Sequence, residues 1–216
     1  MHIQVITLFP EMFDGFFGAS MMWKAQKEYL VKLETVNLRQ FGLGSRRTVD
    51  DTPYGGGDGM LLKPEPLFAA VDYCKSKASN AKVLLMTPRG VDYNQAQAYG
   101  LAQEKNNLII ICGRYEGYDE RITTIVDLQI SIGNFVLTGG ELASMVVIDS
   151  LVRLIPGVLG GENSALNESF SEYGGGINRE HPQYTRPEVY KGLEVPKVLL
   201  SGNHAEIEKW RQQNSL

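Results

Sequence analysis

The fold is decided by the stretch from Cys112 to Leu142, CGRYEGYDERITTIVDLQISIGNFVLTGGEL, which is the densest run of backbone-special residues in the chain. Its glycines cluster at 113–117, at 133 and at 139–140, each after an apolar, strand-like run. Glycine is used where the backbone takes a positive φ or lets a ligand approach closely. The pattern predicts loops that meet at one end of a parallel sheet, where open α/β sheets bind ligands. Three ordinary strand-to-helix turns are the alternative.

The segments outside this stretch predict an α/β fold built on a parallel sheet. Strand patterns cover residues 3–8, 29–38, 81–86, 108–112 and 127–131. Helical patterns begin at Pro10 and cover residues 63–78, 94–103, 141–155 and 203–213. The run LIIIC at 108–112 is typical of a strand that is buried on both faces. Two strand–helix–strand units in succession indicate parallel strands.

Bulk properties limit the function classes without choosing one. The 216 residues can bury the core of one large domain, or of one domain with an appendage. The net charge of −4 argues against a generally basic nucleic-acid coat but leaves room for a local basic patch. Two cysteines and three histidines have no metal-ligand spacing, so no metal site is predicted. Because no signal-peptide or membrane-spanning pattern is present, we expect a cytoplasmic protein with reduced cysteines.

Two long stretches have little periodicity and are predicted to be loops. Residues 40–60, QFGLGSRRTVDDTPYGGGDGM, contain six glycines, whose bare N–H groups can face a ligand. Long loops in compact domains are usually functional or disordered. No Gly-Lys-Ser/Thr follows, so a P-loop is excluded, and a mobile surface loop is the alternative. Residues 160–178, GGENSALNESFSEYGGGIN, are interpreted as an interdomain linker.

The motif GRYEG-x-DER, followed by SIG-x-x-VL-x-GGEL, resembles the TrmD family of bacterial tRNA guanine-N1 methyltransferases, which are knotted enzymes of the SPOUT superfamily. The resemblance continues in order through LFPEMF, TVDDTPYGGGDGM, IPGVLG, HPQYTRPE and VPKVLLSGNHAEIEKWR, and so covers nearly the whole chain. It implies a parallel-sheet SPOUT methyltransferase fold with a C-terminal trefoil knot over residues 1–159. It also implies a flexible linker over 160–178 and a short, helical, tRNA-binding segment over 179–216. Family members continue past this segment, so the chain is either truncated or a short form.

The resemblance also implies the reaction, the methyl donor and the partners. The expected activity is methyl transfer from S-adenosyl-L-methionine to N1 of guanine 37 in tRNA, the nucleotide 3′ of the anticodon. The expected partners are that tRNA and a second copy of the chain, in a homodimer with composite active sites. Family members use magnesium, which leaves Mg²⁺ open as a further cofactor. The expected donor-binding residues belong to the strand-end loops and are Met86, Thr87, Pro88, Gly113, Tyr115, Glu116, Gly117, Ile132, Gly133, Asn134, Phe135, Val136, Leu137, Gly139 and Gly140.

Three residues are expected to be catalytic by resemblance, and two of them also have a plainer interpretation. Glu168 stands where the family has the aspartate that removes the guanine N1 proton, but its side chain is one methylene longer. By itself it reads as a solvated linker carboxylate. Arg153 matches the arginine that stabilises charge on guanine O6, yet an arginine at a helix C-terminus also complements the helix dipole. Glu116 is a candidate for orienting the guanine edge.

The glycine-rich loop is expected to hold the tRNA and its target base, which must leave the base stack to reach the donor. The residues assigned to this contact are Arg46, Arg47, Tyr54, Gly55, Gly56, Gly57, Gly59 and Met60. Asp58 stands where the family usually has proline, a change that would loosen the loop.

Two other functions are compatible with parts of the sequence. A related SPOUT methyltransferase acting on another RNA is disfavoured by the GGGDGM loop, by HPQYTRPE and by the linker carboxylate. A noncatalytic RNA-binding relic is favoured by the change from aspartate to glutamate and by the missing tail. The intact cofactor motifs argue against the relic.

Overall fold

Five parallel strands form one sheet in the computed structural model, which describes residues 1–160, 168–171 and 179–215. In chain order the strands are β1 (His2–Thr7), β2 (Lys32–Asn37), β3 (Asp50–Asp51), β4 (Leu61–Leu62), β5 (Ala81–Asp92), β6 (Asn107–Cys112), β7 (Leu128–Ser131), β8 (Val189–Tyr190) and β9 (Leu193–Glu194). The main sheet has the order β2-β1-β6-β5-β7, and each neighbouring pair is parallel. The predicted α/β fold with a parallel sheet is confirmed.

Seven α-helices and three short 3₁₀ segments accompany these strands among the described residues. The helices are α1 (Asp14–Phe17), α2 (Ser20–Lys27), α3 (Pro64–Lys77), α4 (Gln95–Glu104), α5 (Glu141–Val152), α6 (Lys197–Leu200) and α7 (His204–Asn214), and the 3₁₀ segments are Pro10–Phe13, Leu38–Phe41 and Glu120–Ile125. Pro64 begins α3, where its missing N–H interrupts no helical hydrogen bond. Asn94 and Gln97 form a capping box that begins α4.

Alternating side chains bury the sheet on both faces, which accounts for the continuous apolar run of β6. Leu108 and Ile110 belong to one core, together with side chains of α2, α4 and α5. Ile109 and Ile111 belong to the other core, together with side chains of α3. Since successive strand residues point to opposite faces, a strand between two helical layers has no polar side to show.

Strand β5 is longer than the pattern predicted, because it continues past Met86 to Asp92. The register against β7 shifts between Met86 and Val91, so that both residues pair with Ile130. Gly90 lies directly against the backbone of Ile130, in a place where a Cβ would collide with it. The segment Thr87-Pro88-Arg89-Gly90 suggested the end of the strand, and it is instead a bulge within it.

The chain divides into two compact units, Met1–Gly160 and Gly161–Leu216. The second unit contains an antiparallel hairpin of β8 and β9, whose turn residues Lys191 and Gly192 have φ values of 52° and 79°. Both values are left-handed, as a two-residue hairpin turn requires. The predicted terminal helix is confirmed as α7, whereas the hairpin and α6 are too short to have shown a periodic pattern.

Some predicted features lie where the structure gives no description. Residues 161–167 and 172–178 of the predicted linker, and the last residue of the chain, lie outside the described residues. The division into residues 1–159, 160–178 and 179–216 therefore stays a proposal. Within the described part of the chain, no helix is long and apolar enough to cross a membrane.

Candidate functional site

A cavity of about 490 Å³ opens at the carboxyl ends of β5, β6 and β7. Its walls are the loops that follow these three strands, at residues 86–89, 113–118 and 130–140. The volume falls within the range of small-molecule sites, roughly 300–1,000 Å³. This edge of a parallel sheet is also where α/β proteins bind ligands. The loops predicted to meet from their glycines therefore do meet, around one cavity.

Every predicted donor-binding residue except Asn134 lines this cavity. The lining also includes residues that the sequence reasoning did not select, namely Leu61, Arg89, Arg114, Tyr118, Ile130, Ser131, Thr138 and Ala143. Arg114 and Thr138 lie inside the quoted motifs, so the motifs themselves contained a signal for them. Leu61 and Tyr118 enter through the pairing of two loops, and the sequence gave no signal for that contact.

Two glycines set how closely the walls approach one another. Gly140 donates its N–H to the carbonyl of Gly113 over 2.9 Å. A Cβ added at Gly140 would lie 2.8 Å from Cα of Cys112, and one added at Gly113 would lie 3.3 Å from the carbonyl oxygen of Met86. Neither position has room for a side chain, so glycine is required here by contact rather than by a left-handed φ.

The GRYEG motif is a tight turn that begins where β6 ends. Gly117 donates its N–H to the carbonyl of Arg114 over 3.1 Å. Tyr115, inside the turn, has a φ of 59°, and Gly117 has a φ of 130°. A left-handed tyrosine is strained relative to glycine, and such strain is concentrated at functional sites.

Arg114 joins the turn to three other segments. Its Nε lies 2.9 Å from Oε2 of Glu141, whose side chain is only 1% exposed. The N–H does not point along this line, so the contact is an attraction between charges rather than a directed hydrogen bond. The guanidinium also donates to the carbonyl of Thr138 over 3.2 Å and lies 4.4 Å from the ring centre of Phe9. The other carboxylate oxygen of Glu141 accepts a 2.7 Å hydrogen bond from the hydroxyl of Thr7.

Cys112 and Arg89 lie at opposite depths of the site. Burial raises the pKa of the Cys112 thiol, and the nearby Glu141 carboxylate raises it further. The thiol therefore stays neutral and is no nucleophile. Arg89 is exposed, lines the cavity and pairs with Glu120 over 2.6 Å.

The glycine-rich loop is the tip of a hairpin that β3 and β4 close. After the tip, Glu116 donates its N–H to the carbonyl of Met60 over 3.0 Å, and Leu62 donates to Gly117 over 3.0 Å. Gly59 packs so tightly on the side chain of Glu116 that a Cβ would overlap it. The structure thus brings the end of the predicted tRNA loop against the predicted donor loop.

The remaining residues of the predicted tRNA contact are exposed. Arg46 and Arg47 occupy a turn closed by a pair of hydrogen bonds between Leu43 and Thr48, of 2.8 and 3.0 Å. Tyr54 is fully exposed, and the three glycines that follow it are exposed as well.

Comparison with known proteins decides the family. A family model described as tRNA (guanine-1)-methyltransferase TrmD matches residues 1–216. The tRNA (guanine-N(1)-)-methyltransferase of Myxococcus xanthus is 50% identical over 99% of this chain and 85% of its own length. The Bacillus subtilis protein of the same name is 53% identical over 100% of this chain and 88% of its own length. The chain belongs to the TrmD family.

A solved structure extends this likeness to three dimensions. The crystal structure of tRNA (m1G37) methyltransferase from Aquifex aeolicus is 39% identical and matches with a TM-score of 0.81. The match covers 99% of this chain and 88% of that chain. The family resemblance read from the motifs is therefore confirmed, as is the fold class.

The two expected catalytic residues of the TrmD family that lie outside the cavity belong to different units. Arg153 follows the last turn of α5 in the first unit, and its side chain is half-buried. Glu168 lies in the second unit, where its side chain is partly exposed and its carbonyl accepts the N–H of Ser171 over 3.1 Å. The third, Glu116, lines the cavity. Their catalytic roles stay predictions.

The cavity residues fit the methyl donor of a TrmD family enzyme. Gly113 and Gly140 leave bare backbone along the walls, and a Cβ at either position would fill part of the space. Apolar side chains of Ile132, Phe135 and Leu137 line the same site and offer cover for a nucleoside. Among the described residues, no group of three or more histidine, cysteine or acidic side chains is placed to hold a metal.

We predict that Gly113→Val weakens binding of S-adenosylmethionine by about tenfold or more, because its methyl groups would be forced against the Met86 carbonyl. Calorimetric titration measures the effect, and a thermal melt checks the fold. Gly100→Val is the matched control, since a Cβ at Gly100 of α4 meets no atom within 4 Å. Unchanged donor affinity in folded Gly113→Val would show that the donor binds elsewhere.

Proposed function

We propose that the chain is a tRNA (guanine-N1)-methyltransferase that transfers a methyl group from S-adenosyl-L-methionine to N1 of guanine 37, just 3′ of the anticodon. The observation that carries this proposal is a family match over residues 1–216 whose glycine motifs form the walls of one cavity. The names of the relatives, including the m1G37 enzyme of Aquifex aeolicus, specify the same atom and position.

The strand-end loops bind the donor mainly through their backbone. Bare N–H and carbonyl groups at Gly113 and Gly140 can read the edge of an adenine without charged side chains. Bound S-adenosylmethionine supplies the methyl group as an electrophile on its sulfonium sulfur. Apolar side chains at 132–137 keep water from that part of the cavity.

The acceptor nitrogen carries a proton that must leave as the new N–methyl bond forms. We assign this proton to the carboxylate of Glu168, acting as the general base. We assign to Arg153 the stabilisation of the negative charge that develops on guanine O6 as N1 loses its proton. Glu116 orients the guanine edge, a role supported by its position between the cavity and Gly59 of the glycine-rich loop.

The contact with tRNA is assigned to the glycine-rich loop and to the turn before it. Arg46 and Arg47 are exposed and can approach phosphates, while Tyr54 offers a ring on which a displaced base can stack. The flipped guanine would then enter beside Met60, next to the donor loop.

The assembly follows the same family expectation. We propose a homodimer in which the donor loops of one chain meet Glu168 of the other. Support comes from α5, whose outward residues Leu142 and Val146 are apolar and exposed in the single chain. The trefoil knot, the three-part domain division, a requirement for Mg²⁺ and a cytoplasmic location are proposed with it. Protease mapping tests the division, and chelation with a metal-free control tests the Mg²⁺ requirement.

We predict methyl transfer to a tRNA transcript with guanine at position 37, and none to the same transcript with adenine there. Glu168→Gln should bind the donor normally yet lose most of its single-turnover rate, about 100-fold or more, because an amide cannot accept the proton. Glu172→Gln is a linker control that keeps the same chemical change. Rates near wild type in Glu168→Gln would place the base elsewhere, and transfer at other RNA sites would favour a different SPOUT activity.

We predict that Arg46→Ala with Arg47→Ala weakens tRNA binding and flattens its salt dependence. Each phosphate contact that is lost removes about 0.7–0.9 from the slope of log K against log salt. Filter binding between low and moderate salt measures the slope. Lys82→Ala with Lys105→Ala removes the same net charge away from the turn, and an equal loss of slope there would refute a local contact.

We predict that mixing Gly113→Val with Glu168→Gln restores activity after subunit exchange. Each variant lacks one part of a shared site, so a mixed dimer contains one intact site and reaches at most about half the wild-type rate. Exchange is verified with differently tagged chains. No recovery despite exchange would mean that each chain has a complete site of its own.

A further inference from the structure

One wall of the cavity rests directly on the side chain of Arg114. The guanidinium donates to the carbonyl of Thr138, which lies in the 130–140 wall. The adjacent Gly139 packs on the same side chain so closely that a Cβ would overlap it. The backbone of Arg114 and Gly139 also forms an isolated antiparallel bridge. The position of the wall is therefore coupled to the position of one arginine.

Arg114 is held in turn by a carboxylate that has little access to water. Glu141 is 1% exposed, lies at the first position of α5, and has Arg114 on one oxygen and the Thr7 hydroxyl on the other. Thr7 is the last residue of β1, so the ends of β1, β6 and α5 converge on one carboxylate. The charge also lies at a helix N-terminus, where it is favoured.

We propose that Arg114 and Glu141 are a positioning pair for the donor site: they hold the wall at residues 137–140 at the distance from the 113–117 turn that S-adenosylmethionine requires. The inference rests on the proposed function, because it concerns donor binding. Neither residue is assigned contact with the transferred methyl group. Their effect passes through the carbonyl of Thr138 and the backbone of Gly139.

The choice of an ion pair supports positioning over simple filling of space. A buried ion pair is often no more stabilising than apolar side chains of the same volume. An arginine fork, however, holds several acceptors in a fixed geometry, and lysine cannot do the same with one ammonium group. The pair therefore specifies where the wall lies, which matters to a ligand more than to the fold.

The test compares variants that separate charge from geometry. Removing Arg114 alone would leave Glu141 as an unpaired buried charge and would endanger the fold. The double variant Arg114→Met with Glu141→Gln removes both charges, keeps the side-chain volumes similar and leaves an amide for Thr7. Arg114→Lys keeps the charge but loses the fork. Arg121→Lys, in the exposed pair with Asp119, is the matched control.

Donor binding is measured by calorimetry with S-adenosylmethionine, tRNA binding is measured without donor, and thermal melts report the fold. We expect the double variant to melt near wild type but to bind the donor about tenfold or more weakly. Arg114→Lys should show a smaller loss, and tRNA affinity should stay within about twofold of wild type in both. The KM for the donor should rise while the KM for tRNA does not.

The outcomes distinguish the two proposals. If the wild-type protein binds no S-adenosylmethionine, the proposed function fails, whatever the variants do. If the wild type binds the donor and the folded double variant binds it equally well, the positioning role is wrong. Should the double variant not fold, Arg114→Lys decides, because wild-type donor affinity in that folded variant would equally overturn the inference.

Discussion

One hydrogen bond between two glycines, from the N–H of Gly140 to the carbonyl of Gly113, is the contact around which the site is arranged. It exists only because neither residue has a side chain, since a Cβ at Gly140 would lie 2.9 Å from the nitrogen of Gly113. The bond sets where α5 begins. Because α5 begins there, Glu141 falls beside Thr7 and Arg114, and the loop before it becomes a cavity wall.

The strands could be predicted from the sequence because their burial leaves a local signature. A strand between two helical layers is apolar at every position, as in LIIIC of β6, and chain-local pattern suffices to find it. The bulged end of β5 and the two-residue strands could not be found in this way. Their existence depends on partners elsewhere in the chain, such as Ile130 opposite both Met86 and Val91.

The site divides along the same line. The glycines that line the cavity were predictable, because close approach of backbone demands that one residue type wherever it occurs. Arg114 was quoted within a motif yet given no role, since nothing local indicates that its guanidinium meets a carboxylate from the next helix. The packing of Gly59 on Glu116 was hidden for the same reason. The two residues are far apart in sequence, and their contact follows from the pairing of Leu62 with the segment after β6.

An acidic chain can still bind a polyanion, because tRNA meets a local surface and not the net charge. Several carboxylates of this protein are already paired: Glu34 lies within 3.1 Å of both Lys32 and Lys77. Burial alone would raise the pKa of Glu34, but hydrogen bonds from the two lysines outweigh it and hold that pKa at about 2. Such neutralised pairs contribute little field at the distance of the Arg46–Arg47 turn, given a Debye length of about 8 Å. The potential that a phosphate meets is then set by the exposed arginines nearest to it, so a net charge of −4 is no obstacle to a tRNA-binding role.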